Sequence, residues 1–380
     1  VTPLALLMVL GFLVTVDVRI LAPLLPSISA SLAATPGAAG LAMTSYALAY
    51  GTGQLVYGPL SDRYGRVAVV RVASLGWSVF TALSALSQTT PQFVATRLLT
   101  GACAGAVVPL TLVYIGDTYA YAERQVAIGR FSVVTSAGLA FSAGIGGIVA
   151  YYVSWRLMLL AYAALGLVPA LLMFAVPPAR PALSPDAHGT DTRYSDFLAD
   201  PRARLVYLAI FLEGALLWGG VTYLGAFATH RLGASQLAVG LLIACFGVGT
   251  MVGGALMSPI RRAMSEAALA GVGGLLMALA VLALIPESGW PVFAASMLGL
   301  GVGFVGLHTT LQLRATEISP AARGKAFSLF AFFLFAGVSA GTAGLGRLVD
   351  RGGDRAMLAI VGTGLGVIGL GTAAVGRRRA

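Results

Sequence analysis

Two carboxylates stand alone in long apolar stretches of this sequence, Asp17 in TVDVRILAPLLP and Glu213 in FLEGALLWGG. An ionised group in apolar surroundings is expensive, so each of these acids is a candidate for function. An acid so placed can load and release a proton, or it can be half of a structural ion pair. Arg97 is the natural partner of Asp17: it lies about 9 Å along a helix from Pro91, where its own apolar stretch begins, and Asp17 is expected at a similar depth. Arg19 sits about 200° round the helix from Asp17. It is expected to face the other way and to carry its charged head out to an interface. Glu213 can be a second proton site, a contact for a cationic ligand, or a structural pair. Trp218 and Tyr223 can stack on an aromatic or cationic ligand. Tyr46, Tyr50, Gln54 and Tyr114 can give polarity to a cavity, and so can His308 and Gln312, although His308 is equally suited to bond a backbone carbonyl.

The composition says what kind of element must hold these groups. Of 380 residues, 58% are hydrophobic and 10% are charged, where a soluble domain carries about a quarter charged. The apolar residues fall in blocks of roughly 20, long enough to cross a hydrocarbon layer about 30 Å thick. Alternating strand patterns are absent, which leaves helices as the spanning element. The net charge of +10 invites a nucleic-acid reading, but the basic residues sit in short loops between apolar blocks and form no basic stripe. Cys103 and Cys245 are too few and too isolated for a disulfide framework or a metal site. No phosphate-cradling loop and no nucleophile elbow occurs, so neither ATP hydrolysis nor covalent catalysis is expected, and no cofactor is implied. The first apolar block is too long for a secretory signal and is expected to remain as a helix.

Twelve spans are predicted, at 4–26, 38–58, 67–87, 91–115, 127–152, 156–176, 204–229, 236–258, 266–285, 291–313, 325–346 and 355–375. An even count puts both termini on one side. That side then holds Arg63, Arg66, Arg71, Arg124, Arg130, Arg180, Arg193, Arg202, Arg204, Arg261, Arg262, Arg314, Arg323, Lys325 and Arg377 to Arg379. The other holds Arg156, Arg231, Arg347, Arg351 and Arg355. The bias of 17 to 5 predicts cytoplasmic termini. Residues 177–203, with Pro177, Pro178, Pro181, Pro185, Asp186, Gly189, Asp191 and Asp196, are the one long polar break. They separate an N-terminal bundle, 1–176, from a C-terminal bundle, 204–380. The two parts repeat at an offset of 196. YGTGQLVYGPL (50–60) falls on FGVGTMVGGAL (246–256), and the same offset lays Asp17 on Glu213. Parallel repeats of this kind place a binding site near the membrane midplane, between the halves.

Between the second and third spans stands Gly58-Pro59-Leu60-Ser61-Asp62-Arg63-Tyr64-Gly65-Arg66, followed by Arg71. This resembles the signature loop of the major facilitator superfamily, G-x-L-x-D-R-x-G-R. Gly58 and Gly65 suit close helix approach and a sharp turn. Asp62, Arg63 and Arg66 suit a charged gate that holds the cytoplasmic side shut and breaks as the halves rock. Arg97 with Gly101 and Gly105 is similar to the family's R-x-x-x-G element, with Thr100 in place of the usual glutamine. Gly138, Gly146 and Gly147 are similar to its antiporter element, with Ser142-Ala143 in place of Gly-Pro. Trp155-Arg156, and Arg323-Gly324-Lys325 ahead of a glycine-rich span, are also family-like. The resemblance implies an all-α membrane protein of twelve transmembrane helices in two pseudo-symmetric six-helix bundles, monomeric and multi-pass in a bacterial-type inner membrane. Asp17 resembles the first-span carboxylate of proton-coupled multidrug exporters. The activity implied is proton-coupled export of a small amphiphilic compound by alternating access. Uptake or exchange of a small organic anion held by Arg97 and Arg19 is the alternative, and a scaffold or sensor without flux is a third. The charge bias generates a direct expectation. In intact cells, Ser184→Cys resists a membrane-impermeant thiol reagent added from the periplasm and reacts once the membrane is permeabilised; labelling in intact cells would invert the topology.

Overall fold

The computed structural model describes residues 2–177, 194–287, 289–319 and 322–377. Most of the polar break, residues 178–193 with Ser184 among them, lies outside the described residues. The first bundle comprises α1 (Pro3–Ser31), α2 (Pro36–Tyr64), α3 (Arg66–Leu86), α4 (Thr90–Ala104), α5 (Val107–Thr118), α6 (Tyr121–Tyr152) and α7 (Trp155–Leu172). A short α8 (Tyr194–Ala199) leads into the second bundle. That bundle comprises α9 (Pro201–Glu213), α10 (Gly219–Leu232), α11 (Gln236–Ala263), α12 (Glu266–Leu282), α13 (Trp290–Glu317), α14 (Arg323–Asp350) and α15 (Asp354–Arg377). Helices α4 and α5 together make the fourth span. Helices α9 and α10, joined by a π turn at Gly214–Trp218, make the seventh. The order of elements is consistent with twelve spans, and among the described residues nine are long and apolar enough by themselves to cross a membrane.

Helix starts follow local chemistry. Thr2, Thr35, Thr89, Ser154, Asp200, Ser235 and Ser265 each accept a bond from a first-turn amide, and several are followed by a proline that has no amide to satisfy. Two ends differ from the sequence expectation. Helix α1 runs beyond residue 26 to Ser31, carrying Pro23 and Pro26 inside it. Helix α2 continues through most of the signature loop to Tyr64, leaving only Gly65 (φ 91°) for the turn. A left-handed value of that size suits glycine and strains other residues. Gly58, expected at a close helix approach, has no atom within 4 Å of the place its Cβ would occupy.

Close packing inside the second bundle rests on glycines at the α14 surface. A Cβ on Gly337 or Gly341 would strike the backbone of Phe211 or Ala215, so α14 lies directly on the seventh span.

The bundles meet through α2 with α14, α6 with α11, and α1 with α10. The first two pairs exchange under the repeat, which is the pseudo-twofold relation expected. Contact is uneven along the spans. On the face opposite the signature loop, Thr35 Oγ1 and the Gly37 amide both donate to the Asp350 carboxylate, at 2.7 Å each. Deeper in, Gly225 packs against the Ala22 carbonyl and Gly51 against Phe335. Toward the signature face, α5 and α9 make no substantial contact with the opposite bundle. Among the described residues, the contacts between the bundles close the face opposite the signature loop, and α5 and α9 stand apart from the other bundle.

Asp350 is thus a cap on α2 supplied by the other bundle. Asp350→Ala removes two charge-assisted bonds, partly exposed, and is expected to cost the closed face about 1 kcal/mol, which is roughly a fivefold gain in its opening. The measurement is the labelling rate of Ala22→Cys by an impermeant reagent applied at the closed face, with Cys103 and Cys245 replaced by alanine. An unchanged rate would show that Asp350 does not hold that face.

Candidate functional site

Asp17 and Arg97 meet as their depths require. Arg97 Nη1 donates to Asp17 Oδ1 at 3.0 Å, with both side chains fully buried. The second carboxylate oxygen accepts from Trp77 Nε1 of α3 at 2.9 Å. The Trp77 ring meets Tyr162 edge-on, and the Tyr162 hydroxyl donates to the Leu13 carbonyl, which fixes the indole against α1. The Arg97 guanidinium also lies over the Tyr46 ring, 4.5 Å from its centroid. Every element of this cluster belongs to the first bundle.

Glu213 ends α9, immediately before the π turn. Its Oε2 shares a hydrogen bond with His308 Nδ1 at 2.9 Å, while its Oε1 is buried with no partner. A π turn widens the helix and re-aims the side chains beside it, a distortion frequent at functional sites. His308 therefore bonds an acid rather than a carbonyl. Its ring stacks on Phe304 at 4.6 Å, and Phe304 in turn meets Trp218 edge-on at 5.4 Å.

Arg19 lies where the sequence did not put it. Its guanidinium sits 3.2 Å from the centroid of the Trp218 ring, across the bundle boundary. The reason is that α1 has no free side. One face packs on its own bundle, through α5, α6 and α7, and the other on α10 and α11. Turning 200° away from Asp17 leads to the second bundle and not to the membrane interface. Arg19 borders a void of about 30 Å³ together with Met43, Ser142, Trp218, Thr222 and Phe246. A smaller recess of about 10 Å³ beside it is lined by Arg19, Asp17, Arg97, Tyr46 and Phe335.

Several other candidates lie elsewhere. The buried Tyr223 hydroxyl donates to the Thr342 carbonyl at 2.7 Å and packs between Gly40 and Gly346, away from the cavity. Gln54 Nε2 donates to the Gly105 carbonyl at 3.3 Å and Tyr57 to Ala102 at 2.5 Å, so both serve the break between α4 and α5. Tyr50 packs on Phe335 across the bundle boundary, with centroids 4.4 Å apart. Tyr114 is buried on α5, and Gln312 is half-buried on α13; neither borders the two cavities. At the signature loop, Arg66 pairs with Asp62, bonds Ser61 Oγ at 2.6 Å and reaches Asp117 Oδ2 at 3.1 Å, while Arg63 stacks on Tyr64. This ties α2, α3 and α5 of one bundle together. Trp155 and Arg156 bond Ser31 and the carbonyls of Ala85 and Ser87, bracing loop ends at the closed face. The sequence reading missed Trp77. Its indole in an apolar span needed an acceptor, and Asp17 was the acid available.

A pair of six-helix bundles enclosing a central cavity, with charges buried beside it, defines a multi-pass membrane transporter. Residues 7–342 match the sequence profile of the Major Facilitator Superfamily, and the chain belongs to that family. It is 26% identical over 347 residues to the uncharacterized MFS-type transporter YceJ of Bacillus subtilis (strain 168), covering 89% of this chain and 86% of that one. It is 24% identical over 257 residues to Multidrug resistance protein 1 of the same organism, covering 66% and 62%. The fold is similar to that of the nucleoside transporter NupG, with a TM-score of 0.81 at 14% identity over 99% of this chain and 100% of that one.

The Glu213–His308 bond can be weighed by a double-mutant cycle. His308→Ala leaves a buried carboxylate with no partner at either oxygen, so it is expected to destabilise more than the Glu213→Gln/His308→Ala double variant does. The coupling should be about 1 kcal/mol or more. Thermal unfolding in detergent reads it, and zero coupling would show that the pair contributes nothing.

Proposed function

We propose that the chain is a proton-coupled secondary transporter that exports a small amphiphilic compound by alternating access. The observation that carries this reading is Asp17: a fully buried carboxylate, both oxygens taken, lining a recess that shares Arg19 and Met43 with the void between the bundles. A protonated acid cannot accept bonds at both oxygens as the carboxylate does. Proton loading is therefore coupled to the distance between α1, α3 and α4, and any rocking that changes that distance loads or releases the proton. Residues 1–176 and 204–380 are the rocking bodies in this reading, and 177–203 is their tether. A single chain supplies both walls of the cavity, in keeping with a monomer.

The basic bias supports a cytoplasmic signature face, so the open cavity faces inward. The cluster around Asp62, Arg63 and Arg66 then stands at the mouth, where it can latch that side when the halves close. Export is supported by the likeness to Multidrug resistance protein 1 of Bacillus subtilis. Glu213 with His308 is the second protonatable pair. Its place beside Trp218 favours a role in selecting cargo.

Asp17→Asn is expected to abolish accumulation driven by an imposed pH gradient while leaving downhill exchange intact, because the amide stands in for the protonated acid. Glu213→Gln should change coupling less and the accepted cargo more. Proteoliposomes loaded with fluorescein or ethidium read both. Full pH-driven accumulation in Asp17→Asn would move the coupling site to Glu213.

A further inference from the structure

Arg19 is a cation without an anion. Among the described residues no carboxylate pairs with it, and its Nε is buried with no hydrogen-bond partner. Asp17, two residues away, is taken up by Arg97 and Trp77. Glu213, the other buried acid, is held by His308. What Arg19 does have is the face of Trp218, a contact that leaves the in-plane donors of the guanidinium unused. An unmatched charge at this depth is costly, and such residues mark ligand paths. The contact also joins the two bundles, since Arg19 comes from α1 and Trp218 from the π turn of the seventh span.

The surroundings describe the partner that is missing. Trp218 is flanked edge-on by Phe246 at 5.2 Å and by Phe304 at 5.4 Å, which gives an aromatic wall. The void beside Arg19, about 30 Å³, has room for about two water-sized groups, such as the oxygens of a carboxylate. A guanidinium fork matches a carboxylate in bidentate geometry. Arg97, which the sequence offers beside Arg19 as a holder of an organic anion, is already neutralised by Asp17 and is not free to do this. We infer that Arg19 binds the carboxylate of an anionic amphiphile whose apolar, aromatic body lies against Trp218, Phe246 and Phe304. This deepens the transport reading and rests on it, by naming the charge and shape of the cargo.

Three probes of one shape and different charge test the assignment: 2-naphthoate, 2-naphthamide and 2-naphthylmethylammonium, titrated calorimetrically into the full chain in detergent. Wild type should bind naphthoate at least tenfold more tightly than the amide and should reject the ammonium. Arg19→Gln should lose the preference for carboxylate over amide, and Arg19→Lys should keep part of it. Near-ultraviolet circular-dichroism melting of each variant checks that the fold is intact, and Arg19→Gln, which removes an unpaired buried charge, should melt no lower than wild type. Equal binding of naphthoate and naphthamide, persistence of the preference in Arg19→Gln, or binding of none of the three overturns the inference. Proton flux on adding naphthoate to proteoliposomes tests transport separately. Binding without flux would sink the transport reading and leave the anion site standing. Flux that is indifferent to Arg19→Gln would do the reverse.

Discussion

A charge inside a bilayer has to be answered by a group within reach, because no water is there to answer it. Much of the first bundle is arranged around this constraint at Asp17. The acid on α1 draws Arg97 from α4 and Trp77 from α3, and Trp77 is braced by Tyr162 of α7, whose hydroxyl returns to α1 at Leu13. Four helices are thereby tied in a ring about one carboxylate. Removing any member leaves a polar atom stranded in an apolar core, which costs more than the bond itself gained. The ring ties these helices to one another for as long as Asp17 keeps both partners.

The second bundle solves the same problem differently. Glu213 holds the place of Asp17 under the offset of 196, and its basic partner again comes from the matching span, the tenth in place of the fourth. The partner is not at the matching position, and it is an imidazole instead of a guanidinium. The first acid is sealed in and satisfied at both oxygens. The second keeps one oxygen without a partner, beside an aromatic cluster and a π turn. Duplication preserved the need for a buried acid near the middle of each half and left the manner of meeting it free to diverge.

Periodicity in hydrophobicity carried the sequence reading a long way, since twelve apolar blocks and one polar break leave little choice of architecture. The Asp17–Arg97 pairing was legible as well, because depth along a helix follows from residue counting. Three things were not. The π turn at Gly214–Trp218 has no marker in its sequence beyond one glycine, and it arises from packing on α14. The bonds of Gln54 and Tyr57 to the broken fourth span depend on where α2 crosses it, which counting does not give. Arg19 was assigned to the interface on the assumption that a helix has a lipid side opposite its protein side. Helix α1 lies between the bundles and has protein on both sides.

That position gives the Arg19 charge an electrical meaning. Aspartate with arginine, and glutamate with histidine, can each be neutral as pairs, whereas Arg19 adds a fixed positive charge that no described residue cancels. It sits on the helix at the boundary where the bundles meet. Displacing one elementary charge through the membrane field is worth about 2.3 kcal/mol per 100 mV for a full crossing, and a partial swing takes its share. In the proposed cycle an empty carrier is sensitive to voltage and one whose cavity holds a single negative charge is not, so the membrane potential acts on the return stroke independently of any pH difference.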